Sequence, residues 1–300
     1  DNAQANVLFD LYSLGVVTSR DQWAYDFSEP KLASKMQGMI ATYETERQRY
    51  ARVCAGLQKG DRPEIEEVVD TDPRKISWSR ALKADATRDK PVQFRGEAIV
   101  QSAYRPFNRQ WFYFDRRMNE MVYQQPKLFP TPRHSNVVIS STGVADRKGY
   151  SALVTDHVPN MHLTDTGQCF PLYWYEHVDE NEDRPQGEMF ADRPTPDADG
   201  YIRRDAISDW ALGAYRSRYE DDSITNEDIF WYVYGILHSP EYKDRFAADL
   251  KKMVPRIPFA ADFRAYRDAG RELGDWHLNY ETVEPYPLEE ETGRLVMEDA

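Results

Sequence analysis

Between residues 76 and 175 the apolar residues come in short runs: QWFYF (110–114), NVVIS (136–140), SALVT (151–155) and CFPLYWY (169–175). Pro, Gly, Asn and Ser separate them. Runs of this length, rich in β-branched and aromatic residues and closed by turn formers, extend as strands. The stretch predicts a twisted sheet or partial barrel. Helical periodicity frames it on both sides, so the fold class is α+β.

The flanks divide by pattern. Residues 1–60 read as a connector carrying a long helix over 30–59. Pro30 suits its first turn, Leu32, Met36, Met39, Ile40 and Tyr43 share a face, and Gly60 closes it. Residues 61–178 form the β-rich portion, entered through an acidic, proline-bearing linker at 61–75. Residues 179–204 are polar and broken by proline and glycine, which predicts an acidic loop. Residues 205–287 return to a helical period. Ile207, Trp210, Ala211 and Ala214 make one stripe. Thr225 or Asn226 caps a second helix that turns Ile229, Phe230, Val233 and Leu237 inward. Ser239 and Pro240 open a third, which closes on lysines. Residues 288–300 are an acidic tail.

Charge and motifs exclude several classes. No run approaches the roughly 18 consecutive apolar residues of a membrane span. Cys54 and Cys169 lie far apart without a CxxC partner, which fits a reducing cytoplasm and neither a disulfide framework nor a zinc ribbon. The opening DNAQANVLFD, without methionine, reads as the start of a piece cut from a longer protein. Net charge is −13, which argues against a protein that coats nucleic acid. The charge is uneven, however. Residues 95–148 hold nine lysines and arginines (95, 105, 109, 116, 117, 127, 133, 147, 148) against four acids (97, 115, 120, 146). A basic middle in an acidic chain is compatible with a local polyanion site.

Catalytic signatures are missing. The chain has neither the Asn/Asp-Pro-Pro-aromatic loop of an amino-methyltransferase nor a glycine-rich turn for S-adenosylmethionine. It has no phosphate-binding P-loop, no GxSxG and no HExxH. TGVADRKG (142–149) reads as a turn. His157, His162, Cys169 and His177 fall close together, but their spacing fits no zinc pattern. Glu241-Tyr242-Lys243 opens an amphipathic helix rather than closing a strand, so it does not read as a nuclease motif. The chain therefore reads as non-catalytic, with no catalytic residue, no metal and no cofactor of its own.

Binding remains, and YRPFNRQWFYFD (104–115) carries the strongest signal for it. Six of its residues are aromatic and two are arginine. Alternation sends Arg109, Trp111, Tyr113 and Asp115 to one face and Gln110, Phe112 and Phe114 to the other. Phe112 and Phe114 suit a core, while the arginine and amphipathic aromatics suit phosphate, sugar or base edges. For any single aromatic, packing within the core or sheet is the readier account.

Longer motifs add a resemblance. KISWSRALK (75–83), YRPFNRQWFYFDRRMNEMVYQQPKLFP (104–130) and DHVPNMHL with QCFPLYWYE (156–163, 168–176) occur in order. So do ITNEDIFWYVYGILHSPEYKDRFAADLKKMVPRIPFAADF (224–263) and AGRELGDWHLNYE (269–281). Together they resemble the C-terminal specificity region of the single-polypeptide Type I (Type ISP) restriction-modification enzymes. The resemblance implies a DNA target recognition module, in phage defence, downstream of nuclease, helicase-like motor and N6-adenine methyltransferase domains of one polypeptide. S-adenosylmethionine, ATP and Mg would belong to those domains, and double-stranded DNA and the upstream domains would be the partners. LYSLGVVTSRDQWAYDFS (11–28) resembles the stretch that leaves the methyltransferase core, so Thr18, Arg20 and Asp21 are expected at the border of that cleft. The expected DNA contacts are Arg105, Asn108, Arg109, Arg116, Arg117, Lys127, Arg133 and His134. The stretches 131–150 and 179–204 are further places for specificity residues. The alternative is a docking domain between methyltransferase and motor that touches no DNA. Trp210, Trp231, Tyr232 and Tyr234, more aromatic surface than one core needs, favour it.

Overall fold

Leu32, Met36, Met39, Ile40 and Tyr43 recur at helical spacing, and in the computed structural model they line the buried face of a helix spanning Glu29–Val53. The structure describes residues 6–144, 149–178 and 195–288. The helix stops short of Gly60. Cys54 already leaves it, and Gly56 takes a left-handed backbone (φ +79°) that favours glycine. Residues 61–75 are not a free linker. They contain a helical turn, Ile65–Val68, and bury Ile65 and Val69 against the long helix.

Each of the four apolar runs contributes a strand. Two four-stranded sheets result. One runs Tyr25–Asp26, Asn108–Tyr113, Ile99–Arg105, Val158–Pro159; the other runs Ser13–Leu14, Gln168–Pro171, Val138–Ser141, Ala152–Thr155. A separate hairpin pairs Tyr173–His177 with Tyr201–Asp205. The sheets stay open and do not close into a barrel. Residues 201–204, expected at the end of an acidic loop, belong instead to that hairpin. Residues 145–148 and 179–194, and the tail from 289, lie outside the described residues.

The layers run helix, sheet, sheet, helices. One core joins the long helix to Tyr113 and Met118. A second lies between the sheets and holds Phe112, Tyr25, Val138 and Cys169. A third packs Ile139 and Val154 under the C-terminal helices. Val138 and Ile139 are neighbours in one strand and enter different cores, as do Phe112 and Tyr113. Each sheet is therefore buried on both faces.

The C-terminal helices begin on side-chain caps. Ser208 accepts from Ala211 N (3.1 Å) ahead of helix Asp209–Tyr219. Thr225 and Asp228 form a capping box ahead of Asn226–His238. Asp262 caps Phe263–Leu278. Trp231, Tyr232 and Tyr234 are consumed by the core, so they provide no surplus surface. Trp210 is the exception. The inward residues of its helix are Ala211 and Tyr215, and Trp210 is 46% exposed. The run after Ser239 breaks at Phe246 into Pro240–Arg245 and Ala247–Leu250, and Lys251 and Lys252 follow.

Helices Asn226–His238 and Phe263–Leu278 cross through glycine. A Cβ on Gly270 would stand 2.0 Å from the Trp231 carbonyl oxygen, and one on Gly235 2.1 Å from the Tyr266 carbonyl. Backbone atoms do not step aside as a flexible side chain does. Gly270→Ala should cost about 3 kcal/mol by forcing the helices apart. Gly38→Ala, in open space on the long helix, should instead stabilise by about 0.5–1 kcal/mol. Urea unfolding of both variants checks the contrast.

Beside this crossing Tyr234 Oη bonds His277 Nδ1 at 2.5 Å, and His238 packs on both rings. Burial lowers both histidines, taking His238 from 6.5 to about 4. The unfolded chain therefore binds protons more readily than the folded one. Stability from His238 is full above pH 6.5 and falls as pH drops toward about 4. The loss should be on the order of 3 kcal/mol, and His238→Gln should flatten that part of the stability–pH curve.

Candidate nucleic-acid interface

Strand Asn108–Tyr113 keeps the expected alternation, but its aromatic face is not open to a ligand at its C-terminal end. Tyr113 is fully buried beneath the long helix, stacks on Phe94 at 5.6 Å and accepts the Arg95 N–H at 2.9 Å. On the other face Phe112 stacks on Tyr25 at 4.6 Å. Five of the six aromatics in these twelve residues serve two cores, while the exposed Phe107 packs edge-on against His277 and Tyr280.

The arginines expected on this surface divide by environment. Arg109 is largely buried. Its guanidinium donates to the Leu278 carbonyl at 2.5 Å and lies between Asp156 (3.9 Å) and Glu281 (3.6 Å). It ties the strand to the end of the last helix. Arg105 lies over the Tyr104 ring at 3.9 Å, donates to Asn160 Oδ1 at 3.0 Å and pairs with Asp21 at 3.6 Å. Asn108 accepts from Gln110 Nε2 at 3.1 Å. Arg133 projects into solvent but pairs with Asp199, its Nε 2.8 Å from the carboxylate. His134 is buried with both ring nitrogens engaged, Nδ1 by Thr131 Oγ1 (2.7 Å) and Nε2 by Asp197 (2.8 Å).

Thr18, Arg20 and Asp21 do come together. Thr18 Oγ1 donates to Asp21 and accepts from Arg20 N. Tyr104 Oη reaches Asp21 at 3.1 Å. Arg20 is buried, donating to the carbonyls of Ser77 and Met118 and to Ser79 Oγ. Burial pulls its guanidinium down to about 10. An open hollow of about 530 Å³ fronts this segment, with Gln22, Trp23 and His162 among its walls. Ser19 meets that hollow with a strained left-handed backbone (φ +54°).

Of the expected contact residues, Arg116, Arg117 and Lys127 are exposed and in no ion pair among the described residues. Arg117 holds only the Pro91 carbonyl through its side chain. Arg116 and Arg117 join Arg95 around an open hollow of about 500 Å³ walled by Pro91, Val92 and Gln93. Arg95 pairs with Asp115 at 2.7 Å, which raises its affinity for the proton. Its place in this cluster was not foreseen, because only the fold brings residues 91–95 beside 115–117.

The histidines and cysteine do not converge on a metal geometry among the described residues. His157 pairs with Asp156, and His162 lies 3.4 Å from Asp165. Cys169 is enclosed between the sheets, where burial pushes its thiol up to about 12.

Arg109→Ala should therefore behave as a scaffold lesion. It should lower the midpoint of thermal unfolding and loosen the C-terminal helix in hydrogen exchange, and leave the salt dependence of any nucleic-acid binding unchanged. A changed salt slope with unchanged stability would return Arg109 to the contact set.

A family model of the Type ISP C-terminal specificity domain matches residues 7–298. Among solved structures, the cryo-EM structure of a DrdV–DNA complex is 35% identical, with a TM-score of 0.75 over 94% of this chain and 24% of that chain. A nuclease-deletion mutant of the Type ISP restriction-modification enzyme LlaGI, in complex with a DNA substrate mimic, is 31% identical. Its TM-score is 0.75, covering 96% of this chain and 23% of that one. The ATP-dependent Type ISP enzyme LlaBIII bound to DNA is 27% identical, with a TM-score of 0.71 over 97% and 17%. The chain thus spans about a quarter of the length of these relatives, or less. No curated protein matches it.

Proposed function

We propose, from the premise that this chain belongs to the family of Type ISP C-terminal specificity domains, that it is the DNA sequence-reading module of a restriction-modification polypeptide. One observation carries the reading. Relatives solved with DNA or a DNA mimic are 31–35% identical to it over 94–96% of its length. The module contributes no catalytic group in this reading. N6-adenine methylation, ATP-driven motion and DNA cleavage would belong to the rest of the polypeptide, with S-adenosylmethionine, ATP and Mg bound there, in the cytoplasm.

The proposed contacts follow from exposure. Arg116, Arg117 and Lys127 are free to grip phosphates, since neutralising them demands no rupture of an internal pair. Arg105, Asn108 and Arg133 stand at the surface but have internal partners, so they suit directional contacts made at the expense of those bonds. Arg109 and His134 belong to the scaffold, and Thr18, Arg20 and Asp21 brace the hollow expected to face the methyltransferase. A net charge of −13 is no obstacle, because screening confines the acidic faces to about 8 Å at physiological salt.

A docking role has one observation in its favour. Val7, Tyr12, Phe170, Leu237 and Val254 line an apolar hollow of about 260 Å³. It is compatible with DNA reading by another surface.

Arg116→Ala and Arg117→Ala, each in the complete polypeptide, should weaken binding to target and non-target duplexes alike. Each should reduce the slope of log K against log salt by about one. Unchanged affinity, slope and target choice in both folded variants would remove this hollow from the interface.

A further inference from the structure

Strand Ile99–Arg105 is paired along one edge by Asn108–Tyr113, but Val158–Pro159 covers its other edge only at Ser102 and Ala103. Before Ser102 that edge opens onto a groove of about 650 Å³. The turn Phe129–Pro132 and the Asp156–His157 pair wall its far side. This volume falls in the range of about 300–1,000 Å³ that small-molecule sites occupy.

Gln101 and Trp111 stand directly opposite each other in the register of the two strands, and both line the groove. Cross-strand partners leave a sheet on the same face. Both side chains are half-buried, and neither the Gln101 carboxamide nor the Trp111 indole N–H has a hydrogen-bond partner among the described residues. Both groups are open to solvent in the groove, so a ligand can pair with them by displacing water, without breaking an internal hydrogen bond. Trp111 packs at the edge of the core under the long helix, so its ring is held in place. Phe114 adds a second ring to the lining, and the half-exposed Arg95 adds a cation.

A carboxamide, an N–H donor and aromatic surface, with a cation beside them, match a particular chemistry. A nucleobase is planar, offers a π face, and carries donors and acceptors on its edge. A glutamine amide meets the N6 and N7 of adenine with one acceptor and one donor. We propose that this groove receives one unstacked nucleobase, held by Gln101 and Trp111, with the phosphate of the same nucleotide toward Arg95. The inference extends the DNA reading above, in which a DNA strand supplies the base. A free mononucleotide presents the same chemistry, and the test separates the two sources.

The test uses the 300-residue chain and its tryptophan fluorescence. AMP is titrated in one arm and a short adenine-bearing single-stranded oligonucleotide in the other, with an abasic oligonucleotide as control. A saturable change is expected with the adenine ligands and absent with the abasic strand. Trp111→Phe should remove it, and Gln101→Ala should weaken binding about tenfold or more while the melting temperature holds. Gln101→Glu keeps an acceptor but no donor, so preference should shift from adenine toward cytosine, whose N4 donates. A response to both ligands or to either alone supports the site, and a response to the oligonucleotide alone or to AMP alone identifies the source.

No saturable response to either ligand overturns the proposal. So does a response that persists unaltered in folded Trp111→Phe and Gln101→Ala. The two readings fail separately. An Arg116→Ala/Arg117→Ala double variant should keep the adenine response while losing duplex affinity in the complete polypeptide. Loss of the adenine response in that folded double variant would instead make the groove part of the Arg116/Arg117 hollow and contradict a separate base site.

Discussion

Phe112 and Tyr113 are adjacent in one strand, point in opposite directions, and are both completely buried. That single fact requires cover on each face of the sheet, and the rest of the chain supplies it. The long helix with residues 65–98 covers one face, and the second sheet covers the other. The second sheet is then itself covered by the C-terminal helices. Full burial of a large apolar side chain contributes about 1.5–3 kcal/mol. At Phe112 and Tyr113 the strand collects this from two successive residues rather than from every second one, while residues 108–111 stay partly exposed. The aromatic density of residues 104–115 is what such a strand demands.

The same packing accounts for the basic middle of the chain. Much of its excess charge is spent internally, on acids that come from elsewhere in the sequence. Arg105 meets Asp21, Arg109 meets Asp156 and Glu281, and Arg133 meets Asp199. Partly exposed pairs of this kind contribute only about 0–1 kcal/mol each. Their effect is to fix which segments lie together. Among the described residues of this segment the cations left over, at 116, 117 and 127, are few and local, so an acidic protein can still present a basic contact.

Much of the fold was legible because its signals are local. The four apolar runs became strands, and Thr225 and Ser239 cap the helices they were expected to open. What was not legible depends on the partner of each face. Alternation in QWFYF separates Trp111 and Tyr113 from Phe112, but nothing local says that a helix will lie over Tyr113. For that reason the Tyr113 end of the face expected to meet a ligand became core, while Trp111 stays half-exposed. Residues 61–75 looked like a linker because acids outnumber apolar residues, yet Ile65 and Val69 suffice to pin them. The roles of Arg109 and His134 were hidden for the same reason. Leu278 and Asp197, their partners, are remote in sequence.

In the proposed function DNA engages the exposed cations near residues 91–95, 115–117 and 127, while Arg109 and the Phe112–Tyr113 core serve as scaffold. Amide hydrogen exchange on the complete polypeptide, with and without a target duplex, tests this most directly. The account predicts slowed exchange on DNA binding at residues 91–95, 115–117 and 125–128, and no change in the Phe112–Tyr113 core. Protection absent from all three segments, in a complex that demonstrably forms, would contradict it.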